Sequence, residues 1–181
     1  MIRHADPDID SGACATIYAP YVAGAATSFE ESPPDADDFA ERIERVSATH
    51  PWLVAERNGV VAGFAYAAPH RARPAYRWTA ETSVYVADGR QGAGVGRELY
   101  GRLIDLLRRQ GLHVAVAGIT LPNAASVGLH TALGFEQVGL YTRIGFKAGA
   151  WRDVSWWQLV LGPDADGAPV EPLGPQRLDA A

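Results

Sequence analysis

Two β-rich runs, "WLVAER" and "VVAGFAYAAP", flank the dipeptide Asn58-Gly59. These two residues tolerate the positive φ angles of a type I′ turn better than any other pair, so the spacing predicts an antiparallel hairpin. A hairpin here constrains the fold strongly. Uniform β-α alternation, which would build an all-parallel doubly wound sheet, is excluded for this half of the chain. "TAETSVYVA", rich in Thr, Val and Tyr, reads as a further strand after a polar loop.

Upstream of the hairpin, "MIRHAD" is a short strand. Asp6 as N-cap and Pro7 in the first turn then start a helix with Ile9, Ala13, Ile17 and Tyr21 at helical spacing. A second helix, acidic in its first turn, carries Phe39, Ile43 and Val46 on one face. Downstream, a helix from Gly94 to Gln110 sets Val95, Leu99, Leu103, Leu106 and Leu107 on one side and stops at Gly111. "HVAVAGI" is a buried strand, "LPNAASVGLHTALGF" a helix that Asn123 caps, and two strands near 136–146 and 153–161 surround "KAGAWR". The order β-α-α-β-β-β-α-β-α-β-β predicts an α/β chain of the α+β type: one mixed sheet of about seven strands with helices on both faces. Residues 1–161 form the expected domain. Residues 162–181 hold four prolines and three glycines without apolar period, and read as an extended or disordered tail.

At 181 residues, one core suffices. The net charge of -5 argues against a nucleic-acid or anionic-membrane surface. One cysteine, Cys14, excludes an intrachain disulfide, makes a cysteine metal site implausible and reads as a small core residue. No metal is implied. No apolar run approaches a membrane span, and the expected location is the cytoplasm.

The segment "YVADGRQGAGVGREL" passes from strand through three glycines, Gly92, Gly94 and Gly96, into a helix. Backbone N–H groups at such a helix start favour an anion. A dinucleotide fingerprint fails because Leu99, counted from Gly94, occupies the place of its last glycine. A P-loop fails for want of Gly-Lys-Ser/Thr. A plain glycine turn remains alongside the third pattern, Q-x-x-G-x-G, written Gln91-Gly92-Ala93-Gly94-Val95-Gly96 after Arg90.

That pattern resembles the pyrophosphate-binding signature of the GNAT acyl-CoA N-acyltransferases, and the element order matches that superfamily over about residues 1 to 161. "HPWLVAERNGVVAGFAYAAPHRARPAYRWTAETSVYV", "LPNAASVGLHTALGF" and "GFKAGAWRDVSWWQL" resemble the phosphinothricin acetyltransferase group in particular. The resemblance implies the GNAT fold, acetyl-CoA as co-substrate, a small-molecule amine acceptor and a homodimer. It implies that Gln91, Gly92, Ala93, Gly94, Val95, Gly96, Arg97 and Asn123 hold the cofactor. Val84, Tyr85 and Val86 would offer it strand backbone, including an N–H for the oxyanion.

Direct attack of an amine on a thioester needs a base, because a free α-amine is mostly protonated at neutral pH. Alternation in "TAETSVYV" sets Thr79, Glu81, Ser83 and Tyr85 on one face and Ala80, Thr82, Val84 and Val86 on the other. Glu81 also matches the glutamate that the resemblance assigns as base. His130, two helical turns after Asn123, stands where GNAT enzymes commonly carry a Tyr that protonates the thiolate, and is the expected second catalytic residue. Arg71, Arg73 and Tyr76 form a basic and aromatic cluster suited to a carboxylate, phosphinate or sulfonyl group. Arg71 for Lys and Pro74 for Asn depart from related enzymes and bear on acceptor preference. By resemblance, Phe29 lines the amino-acid pocket. Trp151, Trp156 and Trp157 read as core or dimer contacts, and His4, His50, His70 and His113 as structural. The expected reaction is acetyl transfer to the α-amine of an amino-acid-like acceptor such as phosphinothricin or methionine sulfoximine or sulfone. A polyamine, an aminoglycoside, a protein N-terminus, or acyl-CoA sensing without catalysis are the alternatives.

Overall fold

A computed structural model describes residues 1–162 and 169–175. Its elements are β1 (Ile2–His4), α1 (Pro7–Ala23), α2 (Ala36–Ser47), β2 (Trp52–Arg57), β3 (Val60–Pro69), a 3-10 turn (Pro74–Tyr76), β4 (Thr79–Val86), α3 (Val95–Gln110), β5 (Val114–Thr120), α4 (Ala124–Ala132), β6 (Glu136–Lys147) and β7 (Ala150–Val160). One seven-stranded sheet runs β1-β2-β3-β4-β5-β7-β6, and every neighbouring pair is antiparallel except β4–β5. The hairpin turns at Asn58 and Gly59 with φ of 55° and 77°, the signs that a type I′ turn demands.

The helices divide between the faces. Phe39, Ile43 and Val46 of α2 pack with Cys14, Ile17, Tyr18 and Val22 of α1 against Trp52, Val54 and Phe64. On the other face Leu99, Leu103, Leu106 and Leu107 of α3 meet Leu53, Ala65, Ala80 and Ala115, with Val127 and Leu129 of α4 and its C-cap Leu133 beside them. Burial pushes the Cys14 thiol up to about 12, so it is an inert core group.

The stripe of α1 is rotated from the one its apolar spacing predicts. Ile9 is 72% exposed, and the inward positions are Asp10, Cys14, Ile17, Tyr18 and Val22. An ion pair wins over the apolar pattern: buried Asp10 receives two hydrogen bonds from Arg3 of β1, at 2.6 and 2.8 Å, and one from the Asp6 N–H at 2.8 Å. This contact joins the first strand to the first helix.

No strand or helix lies beyond Val160 among the described residues, and Leu161 donates its N–H to His113 O. Residues 169–175 run extended along the start of β4 and the end of α3. Trp78 Nε1 donates to Val170 O, Leu173 N to Gln110 O, and Arg77 pairs with Glu171 at 2.7 Å. The expected tail therefore docks over this stretch; residues 163–168 and 176–181 lie outside the described residues. Among the described residues no helix is long and apolar enough to cross a membrane.

Burial alone would raise the Asp10 carboxyl, but the Arg3 guanidinium and the Asp6 N–H hold it net below the ordinary carboxylate range. Its contribution to stability is then present above the unfolded carboxylate value, about 3.9, and is lost as pH falls through the folded one. Asp10→Asn should cost about 1–3 kcal/mol at neutral pH. Urea midpoints measured against pH should show a gap between wild type and variant that is constant from neutrality to mild acid and closes on further acidification.

Candidate active site

The parallel pair β4–β5 is short. Its register covers only Thr79↔Val114, Ala80↔Ala115 and Glu81↔Val116, although β4 continues to Val86 and β5 to Thr120. Beyond Glu81 the two strands part, because each remains paired to its other neighbour: β4 to β3 as far as Val86↔Gly63, and β5 to β7 as far as Thr120↔Val154. Thr82 spans the fork, its hydroxyl 3.1 Å from Val116 O. The opening is a wedge lined by Thr82, Ser83, Val84 and Tyr85 on one side and Ala117, Gly118, Ile119 and Thr120 on the other, with Asn123, Ser126 and His130 of α4 behind it.

Backbone groups face into this wedge. Ala87 N–H donates to Ala62 O on β3, so by strand alternation the N–H and C=O of Val84 and Val86 point to the open side. Val86 is occupied by Tyr21 of α1, whose hydroxyl donates to Val86 O at 2.7 Å. Among the described residues, Val84 has no comparable side-chain partner.

On the α3/α4 face the wedge continues into a groove of about 310 Å³, lined by Val84, Val86, Arg90, Gln91, Gly92, Gly94, Gly96, Arg97, Asn123 and Ser126, with Tyr21 and Thr27 at its rim. Gly92 and Gly94 have φ of 75° and 83°, and Gly94 caps α3 without a side-chain hydrogen bond. The first N–H groups of α3 are thus uncapped by side chains, and two arginines stand beside them: an anion site by construction. Glu98 in the first turn opposes that field, but Arg57 pairs with it. Gly96 permits a close approach, since a Cβ there would lie 3.3 Å from Val86 Cγ2 and 3.6 Å from Leu129 Cδ2. Asn123 caps α4, accepting from Ser126 N–H at 3.1 Å. Ala93 and Val95 belong to the same turn, Ala93 exposed and Val95 anchored in the core.

Glu81 lies at the fork on the α1/α2 face, as alternation predicts, while Ala80 and Thr82 turn into the other layer. It is one pleat, roughly 7 Å, from Ser83 in the wedge wall. Its carboxylate is 41% exposed and has a partner that no motif suggested: His70 Nδ1, 3.3 Å from Glu81 Oε2. His70 follows the last residue of β3, and the hairpin register, Ala68↔Glu81 and Pro69↔Ala80, brings it across from β4.

His130 is 4% exposed and belongs to a buried polar chain. Thr82 Oγ1 lies 2.6 Å from Tyr100 OH, Tyr100 OH 2.9 Å from His130 Nε2, and His130 Nδ1 2.8 Å from Ser126 O and 3.3 Å from Ser126 Oγ. A carbonyl only accepts, so Nδ1 carries the proton and Nε2 accepts from Tyr100. Burial lowers His130 below the usual imidazole range, partly opposed by the Ser126 carbonyl, so the ring is neutral. Ser126, Tyr100 and Thr82 carry no motif of their own. Only the folded contacts expose them.

The remaining expected residues fall in two places. Phe29 packs on β6: a Cβ at Gly145 would come within 2.3 Å of its ring. Beside it Glu30 takes a bidentate pair from Arg42, a hydrogen bond from Tyr18 and, on its carbonyl, the Lys147 ammonium. Arg71, Arg73 and Tyr76 do not line the wedge or the groove. They border a separate cavity of about 520 Å³ with His50, Gln110 and residues 171–174. Tyr76 reaches the site through His70, ring centroids 6.0 Å apart. Trp157 is core, Trp156 stands between Tyr141 and His70, and Trp151 is exposed.

Residues 9–156 match the model of the acetyltransferase (GNAT) domain. The chain belongs to the GNAT acetyltransferase family. It is 41% identical over 164 residues to the phosphinothricin N-acetyltransferase of Streptomyces viridochromogenes, covering 91% of this chain and 90% of that one. To the L-methionine sulfoximine/L-methionine sulfone acetyltransferase of Salmonella typhimurium it is 42% identical over 169 residues, 91% and 98% of the two chains. Among solved structures, a GNAT phosphinothricin acetyltransferase from Sinorhizobium meliloti in complex with acetyl-CoA superimposes with a TM-score of 0.89 at 34% identity, covering 94% of this chain and 93% of that one. The acetyltransferase yncA of Salmonella typhimurium, solved with acetyl-CoA, gives 0.88 at 40% identity, over 93% and 97%.

Tyr100→Phe in this GNAT domain should remove the donor to His130 Nε2 and leave a buried acceptor unmatched. A loss of about 1–3 kcal/mol, read as a lower urea midpoint, is expected. An unchanged midpoint would mean that the chain Thr82–Tyr100–His130 carries no net stabilisation.

Proposed function

We propose that this acetyltransferase moves the acetyl group of acetyl-CoA to the α-amine of a small amino-acid-like acceptor, of the phosphinothricin or methionine sulfoximine/sulfone type. The observation that carries the reading is the wedge between β4 and β5, which opens onto a cofactor groove on one face of the sheet and has Glu81 at its root, facing the other. Two relatives named for such acceptors support the acceptor class. So do the arginines of the 71–73 loop, which suit an acidic acceptor better than a polyamine.

The groove residues fit acetyl-CoA: positive-φ glycines and free helix N–H groups for its pyrophosphate, Arg90 and Arg97 for its charge, and the Val84 backbone for its acyl arm. Bound there, acetyl-CoA supplies the thioester carbonyl. Glu81 removes a proton from the incoming ammonium, and the Val84 N–H donates to the carbonyl oxygen as it gains charge. The departing sulfur needs a proton. It takes the second proton that the attacking nitrogen sheds on becoming an amide; Ser126, which borders both groove and wedge, offers the sulfur a hydroxyl hydrogen bond, and neutral His130 Nδ1–H positions that hydroxyl.

Residues 1–161 constitute the catalytic domain, and the tail from 162 braces the loop before β4. The protein works as a homodimer through β6. This strand closes the sheet with its outer edge unpaired and exposes Val138, Leu140, Tyr141, Ile144 and Phe146, the last at 63%. Such an edge on a soluble enzyme calls for a second copy, and its expected setting is the cytoplasm.

Glu81→Gln should lower kcat by about 10²–10⁴-fold with the Michaelis constant for acetyl-CoA little changed. Near-normal turnover, followed by thiol release with methionine sulfone, would refute the base assignment. Gly94→Asp should raise that Michaelis constant, because it sets a side chain at a positive φ and a negative charge beside the anion site. Phe146→Glu should halve the mass seen by light scattering; an unchanged dimer would place the interface elsewhere.

A further inference from the structure

We propose that His70 is a positioning residue for Glu81, donating from Nδ1 to Oε2 so that the other carboxylate oxygen faces the acceptor amine. The inference rests on the reading of Glu81 as the base.

Three observations carry it. First, position: Ala68 stands directly opposite Glu81 in the hairpin register, and His70, two residues on and just past the end of β3, comes diagonal to Glu81. The small methyl of Ala68 leaves the space over Glu81 to the imidazole. Second, confinement: the His70 side chain is 16% exposed against 41% for Glu81, so the imidazole sits inside the carboxylate and not in front of it. Its ring is held edgewise by Tyr76, centroids 6.0 Å apart at 76°, and by Trp156, 5.8 Å apart at 73°. Contacts from the 3-10 turn, β4 and β7 therefore fix one rotamer. Third, exclusivity: among the described residues, Glu81 has no second hydrogen-bond partner. One oxygen is tied and the other is left for the acceptor.

The tautomer follows. A carboxylate accepts, so Nδ1 carries the hydrogen in both the neutral and the charged ring. The charged and titratable groups around the pair are few. Tyr66 of β3 and Tyr100 of α3 feel the Glu81 charge, and Arg42 of α2 acts on Tyr66. Tyr76 faces His70 from the turn, Trp156 of β7 adds no charge, and Arg71 and Arg73 follow on the same loop. Among them the Nδ1–H is the donor to Glu81. Removing it disfavours the ionised carboxylate and frees its rotamer, so a defect should appear in kcat and in the acidic limb of the pH profile.

The test compares wild type, His70→Phe, His70→Asn, His70→Gln and Glu81→Gln by thiol release with acetyl-CoA and L-methionine sulfone across pH. His70→Phe keeps the aromatic contacts without the donor. It should lose about 10–100-fold in kcat at neutral pH, shift the acidic limb of kcat/KM to higher pH, and leave the Michaelis constant for acetyl-CoA within about twofold. His70→Asn sets an amide N–H where Nδ1–H was and should recover most of kcat, whereas His70→Gln, which reaches past that point, should not. Should His70→Phe fail to fold by its melting curve, the Asn and Gln pair decides, and equal rates in the two would overturn the proposal. Wild-type kcat and pH limb in His70→Phe, with Glu81→Gln inactive, would overturn the role of His70 alone. Normal turnover in Glu81→Gln would overturn the base assignment itself and this proposal with it.

Discussion

The fork between β4 and β5 governs this molecule. A parallel pair normally keeps its hydrogen bonds along its length, because unpaired backbone groups inside a sheet are costly. Here each strand holds fully to its other neighbour, and only Thr79 to Glu81 pair with Val114 to Val116. The freed groups are handled one by one. Thr82 caps Val116 O, and Tyr21 takes Val86 O. What is left, the Val84 backbone, is the part a ligand can complete.

The fork has different surroundings on the two faces of the sheet. The α3/α4 side collects positive potential from helix N–H groups, Arg90 and Arg97, and Arg57 neutralises the one opposing carboxylate, Glu98. The α1/α2 side holds Glu81 and, farther along, the Glu30 cluster. There the Arg42 hydrogen bonds hold the Glu30 carboxyl below its ordinary range against burial. A chain of net charge -5 thus offers an anion site on one face and a carboxylate on the other without mixing the fields. Thr82 and Glu81, neighbours in sequence, point to opposite compartments because a strand alternates.

Local rules made much of this legible. Asn58-Gly59 fixed the hairpin, Gly111 and Asn123 marked helix ends, and period-two alternation put Glu81 on its face. Readings failed where a through-space contact outweighs local pattern. α1 rotates because Asp10 must meet Arg3 across the first turn, and no spacing rule scores a buried carboxylate as an inward residue. The His70 contact with Glu81 is likewise invisible until the register sets the two residues diagonal to each other. Tyr100 lies beside the apolar stripe of α3 and no spacing rule singles it out, yet its hydroxyl links Thr82 to His130. The strand parting is the least legible feature, since β5 looks like any buried strand and its preference for β7 is a long-range choice.

The loop bearing Arg71 and Arg73 shows how exposure and constraint coexist. Both guanidinium groups border a cavity apart from the wedge, so acceptor recognition by them depends on where the loop is held. It is held at both ends. His70 is pinned by Glu81, Tyr76 and Trp156, and eight residues later the Trp78 carbonyl accepts from His113 and Val114 N–H. Residues 170 and 171 then clamp Trp78 and Arg77, with Arg77 stacked 3.9 Å from the Trp78 ring centroid. A loop so fixed has little conformational entropy left to lose, so under the proposed function an anionic acceptor would meet its arginines already placed. On the proposed reading of Glu81 as the base, the same residue, His70, both ends the loop and orients that carboxylate, so acceptor recognition and proton removal would share one support.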